Sequence, residues 1–214
     1  MNLVKILSMI FLLCLAIGFF LNELLINFII GFIPSQVNVV SLNPSDGFLV
    51  YFWSSISIAL VFFSFFSFAS ISFFLKDVLY KKEKQMILSL VVPSGLLYVL
   101  GFVFGVYLYL LVIVPYFLSV NLLLGLTNFW SLYSILSGAL VLGVSLGISF
   151  QLPLIIRNCL LIGLLKKDVL VANRFFIVFG LLLVSAFVTP PDVVSQLLVA
   201  LPLFFMFELS MVGV

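Results

Sequence analysis

The sequence predicts an all-α membrane protein with six transmembrane helices, both termini on one side, and short fifth and sixth helices. Three observations lead there: an apolar composition, charges that divide the chain into spans, and the sorting of basic residues to one side. Of 214 residues, 65% are hydrophobic and only 7% charged, and the mean hydropathy is +1.47. Soluble domains carry about 25% charged residues, so this chain has too little polar surface to cover a core in water.

The spans follow in order. Lys5 sits at the start of an apolar run that gives a first span over 4–21, read as an anchor because no small-residue cleavage site follows it. A run from Phe48 to Leu75 gives the second span, 48–75, and stops at Lys76-Asp77 before the YKKEK cluster. The uncharged tract from Gln85 to Ile156 is too long for one crossing. It divides at SVNLLLGLTN, where Pro115 just upstream, Asn121, Gly125 and Asn128 supply turn chemistry, giving spans 87–118 and 129–160. The loop KKDVLVANR precedes a fifth span, 175–188, and a sixth, 193–210. A crossing needs about 20 apolar residues. The fifth span has 14, roughly 21 Å of helix against a hydrocarbon core of about 30 Å, so the bilayer is expected to thin beside the last two helices. Residues 1–214 form a single polytopic domain, without repeat or linker.

Orientation comes from lysine and arginine. Six spans put Lys5, Lys76, Lys81, Lys82, Lys84, Lys166, Lys167 and Arg174 on one side, with Arg157 close by. The other side holds no basic residue and the acids Glu23, Asp46 and Asp192. Basic loops stay on the cytoplasmic side or its matrix or stromal equivalent.

Few residues carry chemistry. There is no histidine, which removes the commonest metal ligand and neutral-pH proton shuttle. Cys14 and Cys159 lie in separate apolar stretches without metal or redox spacing. No nucleotide loop or nucleophile–base pair is present, so neither an enzyme nor a metal, cofactor or nucleic-acid partner is expected. The polar residues of the apolar stretches concentrate near the end, in TPPDVVSQLLVALPLFFMFE, Thr189 to Glu208. A residue before proline is pushed out of helical geometry, so TPP ends the fifth helix. Thr189 suits the N-cap of the sixth, with Asp192 in its first turn. Gln196 lies one turn beyond Asp192 on the same face, with Ser195 beside it. Asp192 either caps the helix or meets a partner. Gln196 makes an interhelical hydrogen bond or a partner contact.

At these residues the chain resembles the TatC family, the polytopic core of the twin-arginine protein translocase. FLKDVLYKKEK is similar to the family's first-loop FIxPGLYxxER, with Phe74, Leu79, Tyr80 and Glu83 matching and Asp77 in place of proline. PSDGF resembles PxExF, with Asp46 for glutamate, and GISFQLP resembles GxxFExP, with Gln151 for glutamate. Arg174 also has a family counterpart. The family's HLxELRxR segment finds no match in MNLVKILSMI.

The resemblance implies a core that receives twin-arginine signal peptides and helps move folded proteins across an energy-coupled membrane, driven by proton-motive force. It assigns Glu83, Phe74, Leu79 and Tyr80 to the signal peptide. Gln151, Asp192, Gln196 and Glu208 are assigned to translocation or contact with a partner helix. A carboxylate holds a guanidinium bidentately, which is why reading arginines calls for an acid such as Glu83. The implied partners are signal peptides, single-span proteins of the TatA and TatB type, a second copy of the chain, and lipid. The rival classes are a channel or solute carrier, and a membrane subunit of a respiratory complex. Twenty-six phenylalanines and the lack of a targeting peptide favour an AT-rich organelle genome, hence the mitochondrial inner membrane, with thylakoid and bacterial plasma membranes as alternatives.

Overall fold

The computed structural model describes residues 3–34, 37–74, 91–161, 163, 165–189 and 193–211. The chain folds into α1 (Leu3–Ile30), α2 (Asp46–Phe74) and α3 (Val91–Leu108), which runs through a π-helical turn (Tyr109–Ile113) into α4 (Val114–Leu123). Then follow α5 (Leu132–Ser149), α6 (Leu152–Leu161), the short α7 (Lys167–Ala172), α8 (Arg174–Val188) and α9 (Val193–Ser210). Among the described residues, five helical stretches are long and apolar enough to cross a membrane: Lys5–Ile30, Asp46–Phe66, Val92–Leu123, Leu132–Leu160 and Val193–Ser210. A sixth, Arg174–Phe187, is apolar but shorter. Large apolar side chains face outwards: Phe20, Leu123 and Phe187 are 88%, 87% and 91% exposed. Such a surface suits lipid and would aggregate in water.

Two helix pairs build the frame. In the first, Gly18 lets α1 touch α2, because a Cβ there would collide with the Ser55 carbonyl oxygen. One turn on, Asn22 Nδ2 donates to Ser55 Oγ at 3.4 Å. The second pair is α3 with α5. A Cβ at Gly105 would lie 2.7 Å from both Gly143 Cα and Leu142 O, and one at Gly101 would lie 2.6 Å from Leu146 O. Two G-x-x-x-G runs, Gly101/Gly105 and Gly143/Gly147, therefore face each other. Small residues at this spacing let helix backbones approach closely where lipid offers no hydrophobic drive for association. Phe102, Val106 and Leu110 pack with Leu136, Ala139 and Leu140 around this seam. Val199 and Leu203 dock α9 onto Leu142 and Leu146 of α5.

The two pairs are stitched at the end that lacks basic residues. Strands β1 (Asn38–Val40) and β2 (Phe129–Ser131) pair in parallel, Asn38 opposite Phe129. Asp46, buried at the start of α2, ties this clip down. Its carboxylate accepts from the backbone N–H of Leu42 at 3.0 Å and of Asn43 at 3.2 Å, and from Ser131 Oγ at 3.1 Å. Asn121 Nδ2 donates to Asn128 Oδ1 at 3.0 Å across the turn between α4 and β2. That turn uses Gly125 at φ +70°, a left-handed conformation that glycine adopts without a Cβ clash.

Several boundaries differ from expectation. The first helix runs beyond 4–21 to Ile30, so Glu23 sits on a helix face and not in a loop. Asn22 finds its partner inside the α1–α2 pair, and the apolar pattern resumes at Leu24, so nothing stops the helix. The third helix reaches Leu123, not 118, with Val114 N–H donating to Tyr109 O in the π turn. The extra residue in that turn precedes Pro115, which has no N–H to donate. In the 129–160 span, the first three residues are strand β2, and the helix breaks at Phe150–Gln151 ahead of Pro153.

Candidate functional site

The residues assigned to signal peptides fall almost wholly beyond view. Leu79, Tyr80 and Glu83 lie outside the described residues, and Phe74 enters only as the backbone end of α2. Asp192 also lies outside them. The remaining assigned residues are Gln151, Gln196 and Glu208.

Gln151 sits at the break between α5 and α6, where the chain leaves one helix and the i→i+4 ladder is interrupted. It is buried, and its Nε2 donates to the carbonyl oxygen of Ser94 on α3 at 2.7 Å. Its Oε1 has no hydrogen-bond partner among the described residues. The Tyr98 hydroxyl, one turn beyond Ser94, is likewise buried without a partner among the described residues. Tyr98 packs its ring against Gly147, where a Cβ would come within 3.1 Å of Tyr98 Cζ. Gly147 is in turn one turn before Gln151. An amide can donate to a carbonyl as Gln151 does, and an ionised carboxylate cannot.

Gln196 turns to a different neighbour. Its Nε2 donates across the hairpin to Leu182 O of α8 at 3.2 Å, the interhelical bond left open as one of its two readings. The N-cap role expected of Thr189 turns on residues 190–192, which lie outside the described residues. The Thr189 hydroxyl donates backwards to Ser185 O at 2.9 Å, closing α8, and its own backbone is extended (φ −99°, ψ 157°) as a residue before proline requires.

Glu208 is likewise engaged within the chain. Its Oε1 lies 2.6 Å from Arg174 Nη2 at the basic end of the α8–α9 hairpin. The guanidinium also stands over the Phe204 ring, 5.7 Å from its centroid. The three residues thus engage two neighbouring elements: Gln151 bonds to α3, Gln196 bonds to α8, and Glu208 forms an ion pair with a separate point on α8. They do not converge on one pocket. The sequence reading overlooked Ser94, Tyr98 and the pairing of Arg174 with Glu208. Only the last had a usable signal: two opposite charges at equal distances along the chain from Thr189 and Val193.

Two hollows lie close to these groups. One, apolar and about 230 Å³, opens between α8 and α9 beside Val178, Leu182, Leu201 and Phe204. The other, about 430 Å³, lies beside the π turn, with Tyr109, Ser134, Ser137 and Thr189 on its walls.

Comparison with known proteins places this geometry. A family model described as Sec-independent protein translocase protein (TatC) matches residues 1–202. The chain is 31% identical over 140 residues to the Sec-independent protein translocase protein TatC of Escherichia coli K12, covering 64% of this chain but only 53% of the relative. It is 31% identical over 173 residues to the corresponding protein of Helicobacter pylori J99, covering 80% of this chain and 69% of the relative. The fold is similar to a crystal structure of a twin-arginine translocase receptor, TatC, with a TM-score of 0.78 at 24% identity, over 98% of this chain and 93% of that one. Against these findings the channel, carrier and respiratory-subunit readings have no support.

Proposed function

Since this chain belongs to the TatC family, we propose that it is the membrane core of a twin-arginine protein translocase. In this role it receives the signal peptides of folded cargo and helps pass that cargo across an energy-coupled membrane at the expense of proton-motive force. The observation that carries the proposal is the family match running from residue 1 to residue 202. The fold agrees with it: a rigid frame of long helices with a short apolar hairpin at its side. No catalytic step is assigned to the chain.

The signal peptide is read at the basic end by Glu83 with Phe74, Leu79 and Tyr80. Single-span proteins of the TatA and TatB type, or a second copy, meet the chain along the hairpin near Asp192 and Gln196. Helix α8 has 15 residues, about 22 Å at 1.5 Å per residue. That is short of a core about 30 Å thick, so the bilayer thins beside it. Both termini face the cytoplasm or its organellar equivalent. The phenylalanine-rich composition favours a mitochondrial inner membrane, although the relatives named above are bacterial.

The test is complementation. The chain, expressed in a bacterium deleted for its own TatC, should export a folded fluorescent protein carrying a twin-arginine signal. Replacing the two arginines by lysines should stop export. Correct membrane insertion without any signal-dependent export, with matched partner proteins supplied, would refute the reading.

A further inference from the structure

We propose that Arg174 and Glu208 form a charge clasp that fixes α8 against α9, and that this intramolecular role, not contact with a partner, is what Glu208 does. The two side chains meet at 2.6 Å. Phe204, one turn before Glu208 on the same face of α9, offers its ring to the same guanidinium. Helix α9 therefore presents a carboxylate and an aromatic face to a single arginine.

The placement of the charges points the same way. Arg174 is the first residue of α8, beside the positive end of the helix, and Glu208 is in the last turn of α9, beside the negative end. Each charge stands at the helix end that disfavours it. Neither is explained by its own helix, and each neutralises the other. Both side chains remain partly exposed, 51% for Arg174 and 30% for Glu208, so the clasp sits at the rim of the bundle.

The hairpin needs such a device. In lipid, apolar helices gain little from contact with one another, and polar contacts set their spacing. The Gln196–Leu182 bond ties α9 to α8 nearer the corner, and the clasp holds the far end. Between that bond and the clasp lies the apolar hollow by Val178 and Leu201. Its width is set from both sides.

The effect on transport rests on the translocase reading, whereas the geometric test does not. Cysteines at Val178 and Leu201, in a full-length chain lacking Cys14 and Cys159, are crosslinked in membranes with a short bifunctional thiol reagent. Export of the fluorescent reporter is measured in parallel. Glu208→Gln, Arg174→Glu and Glu208→Arg should each lower crosslinking and export about fivefold, a coupling typical of contacting residues. The double charge swap should restore both to within about twofold. Crosslinking unchanged in the single variants, or not recovered in the swap, would overturn the clasp. Recovery of crosslinking without export would show that Glu208 meets a partner and overturn the second half of the proposal. If the parent itself exports nothing, the translocase reading fails and the crosslinks still decide the clasp.

Discussion

Replacing Gly105 by alanine adds one methyl group where α3 meets α5. The new Cβ would stand 2.7 Å from Gly143 Cα and Leu142 O, both backbone atoms that cannot swing aside. Ordinary contact begins at 3.4 Å, so the helices must part locally by about 0.7 Å. A gap of that size forfeits a quarter to a half of each dispersion well it opens, and overpacking of this kind costs about 1–3 kcal/mol. Alanine also changes helix propensity, a term that a control removes. Gly180, in the middle of α8, has nothing within 4 Å of its would-be Cβ, so Gly180→Ala makes the same local change without a collision. The difference between the two variants isolates the seam. For a chain of this length each kcal/mol corresponds to about 2–4 °C in melting temperature. The purified protein in detergent should therefore melt roughly 2–12 °C lower as Gly105→Ala than as Gly180→Ala. Equal melting, or a higher value for Gly105→Ala, would mean that the seam is looser than described and that the facing glycines do not set it.

Three further outcomes follow from the same geometry. Asp46→Ala removes the acceptor of the Leu42 and Asn43 amides and of Ser131 Oγ; those amides should exchange hydrogen faster while amides of α5 do not, and unchanged exchange would dismiss the knot. Tyr98→Phe deletes a buried hydroxyl without a partner among the described residues, so melting should rise, by an amount equivalent to about 1 kcal/mol; a fall would show that the hydroxyl is satisfied. Glu83→Gln should weaken binding of a twin-arginine signal peptide by a few-fold to about a hundredfold in a crosslinking titration, since charge-assisted bonds contribute about 1.5–3 kcal/mol before solvent screening. Equal affinity would remove Glu83 from signal recognition.

What the sequence made legible was whatever its charges and lengths encode locally. The TPP corner marks the end of α8, because proline acts on its immediate neighbour; the stretch KKDVLVANR, read as a loop, instead holds the short helix α7, and the Lys76-Asp77 stop lies outside the described residues. Glu23 misled as well. A charge near the end of a helix looks like a loop residue until the apolar pattern beyond it is weighed. The facing glycines were present as two G-x-x-x-G runs, and a reading based on charge and span length passes over them. The parallel clip was beyond reach: Asn38–Val40 and Phe129–Ser131 are three residues each, and nothing local tells one to find the other. Gln151 and Glu208 were singled out as polar groups in apolar stretches. Their partners, Ser94 O and Arg174, depend on helix packing and hairpin register, which a list of polar residues does not contain.

The clip between β1 and β2 has a mechanical consequence. It joins the loop before α2 to the loop before α5, so the two helix pairs behave as one truss, braced by glycine seams and by a strand ladder at one end. The α8–α9 hairpin has no such brace among the described residues. It hangs from the truss through Val199, Leu203 and the neighbouring α6. The hairpin touches the truss less extensively than the paired helices touch each other, and compliance follows contact density, so its root is the point expected to yield first among the described helices. Pinned at two points by Gln196 and by the Arg174–Glu208 pair, the hairpin is expected to move there as one arm.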